Sequence, residues 1–103
     1  MFHILVVEDD AKLRSLFCTV LTNNGYLALP AESGEKALSL LDSEYVDLII
    51  SDIMMPEMSG TEMCLKIKNN IDLCHIPIIL LTALNSVEQN IEGLNRGADD
   101  YIS

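Results

Sequence analysis

Short apolar runs alternate with helical stripes along the whole chain. Ile4-Leu5-Val6-Val7 is β-branched and lacks helical period, which predicts a strand buried on both faces. Leu13, Leu16, Phe17, Val20 and Leu21 then recur at helix spacing behind a candidate N-cap, Asp10, and Asn24-Gly25 ends the stripe. Residues 26–29 read as a weaker strand stopped by Pro30. Ser33 is placed to cap a helix carrying Ala37, Leu38 and Leu41. A further apolar strand is predicted over 46–50, then a loop from Met55-Pro56 to Gly60, then a helix marked by Met63, Cys64 and Ile67. Pro77 opens a strand over 78–81; Val87, Ile91 and Leu94 form a fourth helical stripe; Asp100-Tyr101-Ile102 begins a fifth strand. The order βαβαβαβαβ implies a parallel sheet with helices on both faces, joined by right-handed crossovers.

Ligands of such sheets sit outside the carboxyl ends of the strands. Glu8, Asp9 and Asp10 follow the first strand, Asp52 the third, and Thr82-Ala83 the fourth. Four carboxylates and a hydroxyl therefore converge on one edge from segments far apart in sequence. Asp10 is read as a helix cap rather than a ligand, because it faces the helix that follows it.

Composition narrows the function classes. With 103 residues, half of them apolar, the chain has material for one domain. Six Lys and Arg against 16 Asp and Glu give a net charge of −10, a field that repels phosphate and argues against direct nucleic-acid or anionic-membrane contact. No apolar stretch reaches the roughly 18–20 residues of a membrane span, and the amino terminus lacks the pattern of a secretory leader. Cys18, Cys64 and Cys74 lack paired or metal-ligand spacing and fit a reducing cytoplasm. Cys64 belongs to a core stripe; Cys18 lies off its stripe, on the exposed side. His3 and His75 flank strands and read as structural.

Carboxylates converging without His or Cys make a hard, oxygen-only site suited to Mg²⁺ or Mn²⁺. Left unpaired, they repel one another and raise each other's pKa. A carboxylate beside such an ion can also act as a nucleophile and form an aspartyl phosphate.

Three stretches, Val6-Val7-Glu8-Asp9-Asp10, Ser51-Asp52-Ile53-Met54-Met55-Pro56 with Gly60 beyond it, and Leu80-Leu81-Thr82-Ala83, resemble the receiver domain of two-component response regulators. The stretch from Gly93 through Arg96-Gly97-Ala98-Asp99-Asp100-Tyr101-Ile102 resembles the winged-helix transcription-factor branch. The resemblance covers the whole chain. It implies a flavodoxin-like three-layer α/β sandwich whose five-stranded parallel sheet has the order 2-1-3-4-5.

The resemblance further implies that Asp52 accepts a phosphoryl group from a sensor histidine kinase. Asp9 would hold Mg²⁺ most directly and Glu8 through water, with Asp52 and the backbone carbonyl of Met54 completing the protein ligands. Thr82 and Ala83 would contact the phosphoryl oxygens, and Tyr101 would serve as a switch aromatic. The fourth helix and fifth strand would form the dimerisation face of a cytoplasmic regulator with a separate DNA-binding output domain. The family's Lys, Pro and last helix follow the fifth strand, whereas this sequence stops at Ser103, so the reading over 1–103 is a receiver short of its last helix.

Two rivals stand beside it. An aspartyl-phosphate phosphatase needs an acidic residue two positions after the nucleophile, where Met54 stands. A phosphorylation-deficient interaction module is favoured by the absent Lys and opposed by the intact Glu8, Asp9, Asp52 and Thr82. The bulky apolar side chains of Met54 and Leu84, on the expected path of attacking water, imply a slowly hydrolysing phosphate. Met58 is a candidate contributor to the kinase-docking surface.

Overall fold

A computed structural model describes residues 1–81 and, as backbone, 100–102. Its elements are β1 (His3–Val7), α1 (Ala11–Asn23), β2 (Leu27–Ala31), α2 (Gly34–Leu41), β3 (Leu48–Asp52), α3 (Gly60–Lys68), β4 (Ile78–Leu81) and β5 (Asp100–Ile102). Every strand pairing is parallel and the sheet order is β2-β1-β3-β4-β5, the expected flavodoxin-like arrangement. The fourth helix expected from Val87, Ile91 and Leu94 lies outside the described residues.

Side-chain caps set the helix starts. Asp10 Oδ1 accepts the backbone N–H groups of Lys12 (2.9 Å) and Leu13 (3.3 Å), the capping role read from the sequence. Ser33 and Ser59 do the same for α2 and α3, taking the N–H of Lys36 at 3.1 Å and of Glu62 at 3.2 Å. On one face of the sheet Leu5, Val7, Ile49, Ile78 and Leu80 pack against Ala37 and Leu41 of α2 and Met63, Cys64 and Ile67 of α3. Ile4 and Val6, of opposite parity, are equally buried beneath the side where α1 lies. β1 is thus covered on both faces, as its unbroken apolar run predicted.

Three elements depart from the pattern reading. β2 runs through Pro30, which pairs with Val6; the strand lies at the edge of the sheet, where a missing N–H is tolerated. β3 begins and ends two residues later than predicted. Val46 owes its apolar character to the core cluster rather than to a strand, and Ser51 and Asp52 continue the ladder opposite Leu80 and Leu81. Finally, no residue of α1 is buried. Its inward line is Arg14, Phe17, Cys18 and Leu21, all half-buried, while Leu13, Leu16 and Val20 of the predicted stripe face out. Cys18 is accordingly more covered than its position off the stripe suggested.

Candidate functional site

The register of β1 on β3 builds the site. Val7 pairs with Ser51, so the next residues, Glu8 and Asp52, emerge together at the carboxyl edge of the sheet. One carboxylate oxygen from each of Glu8, Asp9 and Asp52 lies within 4.8 Å of the others. Glu8 is buried at 4% exposure, Asp52 is half-buried and Asp9 is exposed, so the group opens outward past Asp9.

Burial and crowding set its electrostatics. Glu8 is pushed up to about 7, first by burial, then by a side-chain hydrogen bond with Asp9 and the charges of Asp52 and Asp9; the N–H of Asp10, 3.3 Å from Oε2, opposes this. Asp52 is raised as well, chiefly by burial and also by the charge of Asp9. The N–H groups of Met54 and Ile53 and the Glu8 side chain pull the other way. Met54 N–H donates to Asp52 Oδ1 at 3.3 Å. Three mutually repelling carboxylates, two of them partly desolvated, form an oxygen-only donor set, and a hard divalent cation fits it in both charge and ligand chemistry.

The surrounding backbone is held at several points. The Arg14 guanidinium donates through Nη1 to the carbonyls of Glu8 (2.8 Å) and Asp9 (3.4 Å), clamping the turn that carries both acids. Glu8 N–H donates to Ala31 O at 3.0 Å. Beyond Asp52 the loop closes on itself where Gly60 N–H donates to Ile53 O at 2.8 Å. Gly60 lies directly against the carbonyl of Asp52, leaving no space for a side chain. Sequence reasoning passed over Arg14; its signal was its place one turn behind the Asp10 cap, on the inward line of α1.

The structure thus brings Glu8, Asp9 and Asp52 together and sets Asp10 aside as a cap. Met54 is the second residue of the following loop and is 58% exposed. Tyr101 lies in β5, paired with Leu80. Thr82, Ala83 and Leu84 lie outside the described residues, as does the Tyr101 side chain. Cys64 is fully buried, as expected, and His3 Nδ1 is engaged with the carbonyl of Tyr45 at 2.9 Å, a structural role. Among the described residues, no helix is long and apolar enough to cross a membrane.

Comparison with known proteins agrees with this geometry. The chain is 50% identical over 100 residues to histidine kinase P4 of Formosa agariphila, covering 97% of this chain and 7% of that protein. It is 43% identical over 99 residues to a Guillardia theta protein named "Probable transcriptional regulator ycf27", covering 96% of this chain and 38% of the relative. The chain therefore spans well under half the length of these curated relatives. The solved receiver domain of a signal transduction histidine kinase from Syntrophus aciditrophicus superposes with a TM-score of 0.92 at 38% identity, covering 99% of this chain and 77% of that one. The family model for the response regulator receiver domain matches residues 4–103. A model that accounts for all but the first three residues decides the matter of kinship: this chain belongs to the response regulator receiver domains.

Proposed function

We propose that residues 1–103 act as the phosphoryl-accepting domain of a two-component system, with Asp52 as acceptor and a sensor histidine kinase as donor. The observation that carries this reading is the meeting of three carboxylates within 4.8 Å at the sheet edge, Asp52 among them as the last residue of β3. Glu8, Asp9 and Asp52, with the Met54 carbonyl, would hold Mg²⁺ or Mn²⁺. The bound ion would supply charge neutralisation for the phosphoryl oxygens and bring Asp52 to its ionised form. Met54 N–H donates to Oδ1 of Asp52 and helps to orient the acceptor carboxylate. In the transfer, an Asp52 carboxylate oxygen forms the new P–O bond as the P–N bond to the donor histidine breaks, and the imidazole leaves with the electron pair. Arg14 fixes the turn bearing Glu8 and Asp9, so the acids need little rearrangement.

Thr82 and Ala83 are proposed as contacts of the phosphoryl oxygens and Tyr101 as the switch aromatic, biasing a two-state fourth helix and fifth strand that serve as a homodimer face. The domain is proposed to be cytoplasmic and to regulate a DNA-binding output domain, in line with the transcriptional regulator among its relatives. A second reading, a receiver within a larger histidine kinase, is favoured by the 50% identity to histidine kinase P4. Both share the same chemistry at Asp52. The test is intact-mass analysis after incubation with acetyl phosphate and Mg²⁺. A gain of one phosphoryl group that is absent from Asp52→Asn and abolished by chelator is expected. A gain that survives Asp52→Asn, or no gain with any acyl phosphate or phosphorylated kinase, overturns the proposal.

A further inference from the structure

The loop between β3 and α3 is closed at its base by Gly60 and reaches outward as far as α2. There Met58 meets Gly34, the first residue of α2. Gly34 is not required by its backbone, since Gly25 is the one glycine with positive φ among the described residues. At a helix position glycine is less favourable than alanine, so a bare α-carbon here calls for another reason. The reason is space: a first side-chain carbon built on Gly34 would stand 2.7 Å from Met58 Sδ, 3.1 Å from Cγ and 3.2 Å from Cβ. Met58 therefore occupies, with Cβ, Cγ and Sδ, the space that a side chain on Gly34 would need.

We infer that Met58 is a positioning residue for the cation site, with Gly34 as its seat: the contact fixes the loop whose Met54 N–H holds Asp52. The inference rests on the cation-site reading above. Met58 is half-buried and packs against the core together with Met55, so the loop is anchored on its inner side as well. The thioether end of Met58 can swing aside, but Cβ is bonded to the loop backbone, and relieving a 3.2 Å contact there moves the loop by a few tenths of an ångström. Glu57, next in the loop, is held at φ 64°, a conformation with little latitude for a compensating change. The displacement is then carried toward Ile53 and Met54, between the Gly60 closure and the Met58 anchor.

The test measures Mn²⁺ affinity by electron paramagnetic resonance in the full chain, together with the melting temperature of each metal-free variant. Gly34→Ala is expected to weaken Mn²⁺ binding about tenfold, the scale of supporting-residue effects on metal sites, while the metal-free variant remains folded. Met58→Ala, which introduces no clash, is expected to weaken binding by a similar factor. The double variant is expected to be no weaker than the worse single, because both act through one contact. Unchanged Mn²⁺ affinity in folded Gly34→Ala and Met58→Ala, or losses that multiply in the double variant, would overturn the inference. Failure of the cation-site reading looks different: the parent chain binds no Mn²⁺, or Asp52→Asn binds it equally well, and the inference falls with it.

Discussion

A methyl group on Gly60 would stand 2.9 Å from the α-carbon of Ile53 and 3.0 Å from the carbonyl carbon of Asp52, both backbone atoms without a rotamer to change. Gly60→Ala is therefore expected to destabilise by about 1–3 kcal/mol, the range for overpacking a closed interior, read from the urea midpoint. Gly60 was visible in the sequence as part of a motif. Its contact with Asp52 was not, because it arises where the start of α3 crosses the end of β3, and no local pattern encodes that crossing. The same holds for Arg14. Its charge was plain in the sequence, but its attachment to the carbonyls of Glu8 and Asp9 depends on how α1 leaves the turn. The carboxylates themselves were legible, since each stands at the carboxyl end of an apolar run that could be recognised one strand at a time.

Among the elements, strand interiors were easier to read than strand ends or helix faces. β1 and β4 announced themselves through unbroken β-branched and leucine runs, while β3 ended on two polar residues, Ser51 and Asp52, that lie past the apolar run from which the strand was read. Pro30 read as a stop because a sequence does not say which strand is the edge. α1 was the largest discrepancy: an apolar stripe predicts a buried line, yet the inward line is only half-buried and is displaced around the helix, so that Phe17 and Leu21 of the stripe stay on it while Leu13, Leu16 and Val20 face outward. Leu16, 55% exposed, and Ile67, fully buried in α3, thus make a direct comparison. Leu16→Lys is expected to change stability by less than about 0.5 kcal/mol, and Ile67→Ala to lower it by about 2–5 kcal/mol. Denaturant melts of the two variants check the difference, and equal losses would mean that α1 is packed as tightly as α3.

At the scale of the whole molecule, the surplus of acid is concentrated to chemical effect at one edge. Glu8 titrates near 4.5 in an unfolded chain and at about 7 in the fold, so the folded state holds its proton more tightly. Without metal, this contribution is fully present below about pH 4.5 and is lost as pH rises through 7. Its ceiling is about 3 kcal/mol from the size of the shift, reduced because water reaches the cluster past Asp9. Asp52, raised in the same sense, adds to the slope, whereas Asp47, lowered mainly by the backbone N–H of His3, acts only at the acid end. The melting temperature in chelator is expected to fall between pH 5 and 8; Glu8→Gln is expected to flatten that decline, and Mg²⁺ to restore stability at the upper end. An unchanged slope in Glu8→Gln would place the titration elsewhere. The pairing of β1 with β3 also has a kinetic consequence. Its two ends of the acid cluster are neighbours in space but separated along the chain by α1, β2 and α2, so the three carboxylates meet only after that distant closure has been made. An ion that recognises only the finished edge adds nothing to the nucleus that precedes it; its stabilisation is felt as slower unfolding, and the lifetime of the folded state rises with cation concentration while the folding rate stays constant.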